Sequence, residues 1–279
     1  MLGKTKLALC PPQPEWLHAA LQLDAAGWVT GAIPVDGRLL SMGVDAFASK
    51  LWMASSDGHR IEIVLGDGSC VADVWARFSA GLRELGVEAD IWAKPQELAD
   101  TTPFDKNTHD CTFVAADAQA FHSLLCRIQG VFEEFRSGFF GRSGVQFWWG
   151  AFDLSVLLFT GERDVAPDDR GYIMRYDLDA AHANFGFWPG DDSAPSPSFY
   201  AYLYPQPEGC AAAPINPDGA AWVEQMGEWM LPYEVVVNSE DPAATVRSFL
   251  ECVYGIAGSL GGWDLAKFTY IKPLPSARA

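Results

Sequence analysis

Positive charge is scarce in this 279-residue chain: 19 lysines and arginines stand against 36 acids, a formal net charge of −17 at pH 7. No basic cluster offsets that field locally, which argues against nucleic acid and membrane surfaces as partners. Long apolar runs are missing too, since no uninterrupted stretch reaches the ~18 residues of a membrane helix. The six cysteines (Cys10, Cys70, Cys111, Cys126, Cys210 and Cys252) form no C-x-x-C pair, so they read as reduced residues and not as a disulfide framework. The five histidines show no helical i, i+4 pair, and His109 with Cys111 gives one loop too few ligands for a metal; no metal site is expected. No phosphate-binding G-x-x-x-x-G-K loop, no G-x-G-x-x-G after a strand and no G-x-S-x-G elbow occurs, so nucleotide and hydrolase templates gain no support. At the start, MLGKTKLALC has too short an apolar run, and too bulky a Leu9 before Cys10, to read as a lipoprotein signal. These absences leave an acidic cytoplasmic globular protein as the expectation. They leave the cofactor unknown and the oligomeric state open.

Aromatic and apolar residues are abundant instead: 49% of the chain is hydrophobic and 11 residues are tryptophan. A chain of this length hides roughly three quarters of its unfolded surface, enough for a full core. Aromatic-walled clefts are also the usual form of small-molecule sites. The tryptophans therefore serve as core, as cavity wall, or as both.

Along the chain, Lys6–Leu9, Trp16–Leu23, Leu39–Val44, Leu51–Ser55 and Arg60–Leu65 are short runs read as strands. DAAG, VDGR, SSDG and GDGS punctuate them, and such tight turns imply antiparallel pairing. A helix capped by Ser69 follows, with Val71, Val74, Trp75, Phe78, Leu82 and Leu85 on one face and Gly86 at its end. A short strand over Val87–Trp92 then meets the polar segment 93–112, the best candidate boundary. Beyond it a helix starts near Asp117, buries Phe121, Leu125, Ile128, Phe132 and Phe135, and stops at Gly138. Strands are predicted around Phe185–Trp188 and Phe199–Tyr204, and a helix over Ala220–Trp229. A last helix begins at Pro242 after Asp241 as cap. Strands followed by helices argue α+β, with antiparallel sheets and long amphipathic helices. The organisation reads as 1–110 and 111–279 around one core, two sheet-plus-helix halves that are candidates for a diverged duplication.

One carboxylate stands out. The run VQFWWGAFDLSVLLFTGE from Val145 to Glu162 is almost wholly apolar around Asp153. Read as one central strand, it desolvates Asp153, which raises a carboxyl pKa unless an arginine such as Arg142 or Arg136 answers it. Asp153 is thus the candidate catalytic acid or base, and Trp149 a wall beside it. In FYAYLYP, Tyr200, Tyr202 and Tyr204 share one strand face and offer apolar rings with hydrogen-bonding tips. The turn F-W-P-G holds Trp188 at a strand end. Arg142 and Glu228 complete the candidate ligand-binding residues, since carboxylates and arginines near aromatic walls suit an acidic or amide substrate.

Several strings in order carry a resemblance: P-Q-E at 95–97, P-F-D at 103–105, F-x-x-x-F-F-G-R from Phe135 to Arg142, F-W-W-G-A-F-D-L at 147–154, F-W-P-G at 187–190, F-Y-A-Y-L-Y-P at 199–205, G-E-W-M-L-P-Y at 227–233 and the closing G-G-W-D. On these the chain resembles an uncharacterised bacterial family known only as a domain of unknown function. Relatives in that family begin with an additional segment carrying tryptophan, histidine and glutamine; this chain starts at the G-K that follows it. Where they have a histidine before paired tryptophans, this chain has Glu15, Trp16 and Leu17, so no histidine chemistry carries over to that position. The resemblance implies a fold and no known activity. Two functions remain: an aromatic-walled site for a small organic ligand, catalytic through Asp153, or a non-catalytic protein-interaction or structural protein whose acidic surface meets a basic partner.

Overall fold

A computed structural model describes residues 1–66, 68–109, 113–165 and 171–270 of the chain, so Cys111 lies outside the described residues. Two compact units are present: Met1–Arg127 with Gln146–Asp153, and Ile128–Val145 with Leu154–Ala279. Both carry an antiparallel sheet with helices, the α+β arrangement expected from the sequence.

The first unit opens with a correction. Lys6–Leu9 lies in a helix, α1 (Leu2–Leu9), not a strand. Its apolar run is too short to separate the two by periodicity, and Leu, Lys and Ala are good helix formers. The chain leaves α1 at the extended Cys10, before Pro11 and Pro12. Trp16–Leu23 also differs from expectation. Glu15 and Trp16 take left-handed φ values of 51° and 55° in a 3-10 turn, so only Gln22–Leu23 remains as strand β1. Strands β2 (Gly27–Val29), β3 (Ile33–Val35), β4 (Arg38–Asp45), β5 (Lys50–Ser55) and β6 (Arg60–Val64) complete a six-stranded sheet. Its order is β1-β2-β4-β5-β6, with β3 also on β4. Helix α2 (Val71–Glu84) follows, and Gly81 lies so close to Met53 that a Cβ there would stand 2.9 Å from its sulfur. Cys70, not Ser69, caps α2: its backbone N–H donates to Asp73 Oδ2 at 3.2 Å. Val87–Trp92 forms no strand. Helix α3 (Ala115–Ser137) spans the heptad-like face read from the sequence.

The run around Asp153 is broken. It forms β7 (Val145–Trp148), a turn, and then β8 (Asp153–Arg163). Gly150 is where it turns: a Cβ there would lie 1.6 Å from Glu97 Oε2, and Phe152 takes a φ of 63°. Asp153 therefore opens a strand, half-buried, and does not lie at the middle of one.

In the second unit β8 pairs with β9 (Ala180–Trp188), after the short helix α4 (Tyr172–Asp177). β10 (Ser198–Tyr204) lies on the other side of β9. The predicted helix over Ala220–Trp229 is instead a hairpin, β11 (Ala221–Val223) and β12 (Glu228–Pro232), extending the order to β11-β12-β10-β9-β8. Gly227 at φ 70° makes the turn, and Trp229 and Leu231 alternate inward with no exposure. Helices α5 (Tyr233–Val237), α6 (Pro242–Ser259) and α7 (Leu265–Phe268) close the unit. One sheet face is a phenylalanine core: Phe185 meets Phe135 at 4.9 Å and Phe187 meets Phe199 at 5.2 Å between ring centres. Helix α6 buries Val246, Phe249, Leu250, Val253 and Ile256, residues that recur at helical spacing, whereas Leu260 is exposed. Asp241 caps it by accepting from the Ala244 N–H at 3.0 Å. Asp241→Ala is expected to cost about 1 kcal/mol, read as a lower urea midpoint at unchanged slope.

Candidate functional site

Register decides which predicted residues meet. In the second unit Tyr200, Tyr202 and Tyr204 pair across the strands with Gly186, Asn184 and His182. Paired residues share a face, so His182, Asn184, Trp188 and the three tyrosines lie on the side opposite the phenylalanine core. Phe159 joins them opposite His182, and Met230 opposite Tyr200, which places Glu228 on the same side of β12. The Tyr200 ring crosses Gly186 so closely that a Cβ there would stand 2.1 Å from its Cζ. Glycine is thus what lets that ring lie flat on the sheet. Trp188 borders an open groove of about 290 Å³ with Pro195, Ser198, Met226 and Met230. This register puts the tyrosine stripe and Trp188 on one side of the sheet.

His182 is the residue that reading missed. It has no exposed surface. Phe159, Tyr202 and Tyr204 surround it, with ring centres 5.6, 5.7 and 5.7 Å away. Its Nδ1 lies 2.8 Å from the Ala180 carbonyl oxygen, which can only accept, so the proton sits on Nδ1. Burial pushes the imidazole pKa down; the Ala180 bond and the Asp179 carboxylate pull it back without cancelling that effect. A neutral ring with its proton on Nδ1 leaves Nε2 a bare lone pair. Nε2 is buried and has no hydrogen-bond partner among the described residues.

Asn184 repeats the arrangement two residues on. Its Nδ2 donates to the Tyr202 hydroxyl at 3.1 Å, which orients the amide and leaves Oδ1 buried without a donor among the described residues. Asp179 Oδ1, just before β9, is buried without a partner among them as well. Three acceptor atoms, on Asp179, His182 and Asn184, thus lack donors among the described residues, each costing roughly 1–3 kcal/mol in lost hydration. The alternation His182-x-Asn184 beside a tyrosine stripe was visible in the sequence; the pairing register was not.

Arg142 is exposed, its guanidinium 5.8 Å from the Phe140 ring centre. Trp149 and Asp153 belong to the first unit, where the Trp149 indole N–H donates to the Ala19 carbonyl at 2.9 Å. Arg136 binds Glu133 at 2.8 Å, a one-turn helix pair. No group of three or more His, Cys, Asp or Glu suited to a metal ion occurs among the described residues, and none of their helices is long and apolar enough to cross a membrane.

Two antiparallel sheet-and-helix units, one carrying buried acceptors on an aromatic sheet face, define an α+β protein. The chain belongs to a family of unknown function, DUF5996, whose family model matches residues 1–270. No curated protein and no solved structure matches it.

Proposed function

We propose that the protein binds a small organic molecule on the aromatic face of its second unit. The observation that carries this reading is the pair of buried, unpartnered acceptors His182 Nε2 and Asn184 Oδ1, each held in that state by a hydrogen bond on its other side. Acceptors in this state call for N–H or O–H donors, and the surrounding rings favour a cation or a flat apolar body. Asp179 supplies negative charge, and the net charge of −17 draws cations toward the protein. The ligand class is therefore an organic ammonium, guanidinium or primary amide. A neutral imidazole with a bare nitrogen is also a proton acceptor, so the same geometry supports capture or proton transfer.

The test is titration with guanidinium, butylammonium and propionamide, read by thermal shift and by the ¹⁵N resonance of His182 Nε2. At least one probe is expected to raise the melting temperature and move that resonance. Asn184→Leu is expected to weaken that probe about tenfold, the worth of one hydrogen bond to a charged group. A resonance unmoved by all three probes, or equal binding by the variant, sinks the reading.

A further inference from the structure

A different group of side chains, in the first unit and independent of the reading above, surrounds one amine. Lys4, on α1, is 3% exposed. Its Nζ donates to Gln96 Oε1 at 2.9 Å and lies 4.6 Å from the Trp92 ring centre and 5.7 Å from that of Trp149. An ammonium carries three N–H donors, yet Gln96 is its one hydrogen-bond acceptor among the described residues. No carboxylate there forms an ion pair with it. The indole faces attract a cation, but they accept no conventional hydrogen bond. Burial dominates, and it pushes the Lys4 amine below the ordinary lysine range.

The walls are fixed from behind. Trp149 is held by its bond to Ala19, and it presses on α1 so closely that a Cβ on Gly3 would stand 1.8 Å from its Nε1. Gln96 is followed by Glu97, which takes a left-handed φ of 60° with a carboxylate oxygen where Gly150 leaves room. The segments 95–97 and 147–150, remote in sequence, thus meet around Lys4. The outer wall differs: Trp92 is 61% exposed and has only one face on the amine. A change in its side-chain angle would open Lys4 to water without disturbing the interior.

We propose that Lys4 is a nucleophilic amine that condenses with small aldehydes or ketones. The neutral nitrogen adds to the carbonyl carbon to give a carbinolamine. Loss of the former carbonyl oxygen as water, with both amine hydrogens, then leaves a C=N imine. No electrons are transferred and no co-reactant is consumed. Gln96 aims the lone pair by holding one N–H, and the indoles exclude the water that would reverse the step.

The experiment treats the full chain with acetaldehyde and cyanoborohydride, which reduces any imine to a stable ethylamine, and maps labelled peptides between pH 6 and 9. Lys267 and Lys50 serve as internal references, being exposed at the side chain by 75% and 38%. At pH 7 Lys4 is expected to be labelled faster than Lys267, because burial holds a larger fraction of this amine in the neutral, nucleophilic form. Trp92→Ala is expected to speed Lys4 further while leaving Lys267 unchanged. Labelling of Lys4 slower than Lys267 in both the parent and Trp92→Ala, with normal labelling after denaturation, overturns the proposal. The same result would leave the His182 titration untouched.

Discussion

Truncating Trp229 to alanine is expected to lower stability by about 3–5 kcal/mol, among the larger effects a single substitution produces. Trp229 has no exposed surface and packs edge-on against Trp222 with ring centres 4.9 Å apart across the β11–β12 pair. Alanine would leave a hole where the largest fully buried side chain of the sheet stood. Its Nε1 has no hydrogen-bond partner among the described residues, so the loss is one of packing. Trp229→Phe, which keeps most of the ring volume and discards the unpartnered N–H, is expected to cost less than half as much. Urea titration of the three proteins at equal slope checks both statements. A small loss for Trp229→Ala would mean that residues 221–229 are not the hairpin described above.

Protonation of His182 gives the second large effect. Its folded-state pKa lies below the unfolded value near 6.5, so the native state binds fewer protons than the unfolded chain. The sign follows directly: the stability from keeping this ring neutral is fully present above about pH 6.5 and is lost as pH falls toward the lowered native value. The slope approaches about 1.4 kcal/mol per pH unit for this one group. The groups facing it are Asp179, whose negative charge moderates the loss, and the rings of Phe159, Tyr202 and Tyr204. His182→Phe keeps the flat ring and removes both the titration and the unpartnered Nε2. It is expected to flatten the pH 5–7 part of the stability profile and, on the proposed function, to abolish the response to N–H donor probes. Melting curves of parent and variant at matched pH separate these outcomes. An unchanged acid slope would place the titration elsewhere.

Much of the fold was legible because long elements repeat their signal. Helix α6 has a clean apolar period, a capping aspartate and a proline at its first position, and each marks the same boundary. Helix α3 and strands β4, β5, β9 and β10 were readable for the same reason. Short apolar runs were not. Lys6–Leu9 satisfies a strand and a helix equally, and Ala220–Trp229 carries a helical spacing that Gly227 and the burial of Trp229 override. The Asp153 run misled in a third way. Its alternation is continuous, but room for the Glu97 carboxylate at Gly150, from a segment some fifty residues earlier, breaks it into two strands.

The candidate groups divide along the same line. The stripe Tyr200, Tyr202 and Tyr204 needs only the two-residue period of a strand, so the sequence alone places those rings on one side. By itself the sequence also determined the acidic charge, the α+β class and the resemblance that family membership bears out. Tertiary structure decided what the stripe faces and what surrounds Lys4. The register of β9 on β10 puts His182 and Asn184 among the tyrosines, and Gln96, Trp92 and Trp149 meet one amine only after three separate segments fold together. Desolvation and unpaired hydrogen-bond groups are properties of such meetings. They belong to no residue until its neighbours from elsewhere in the chain have arrived.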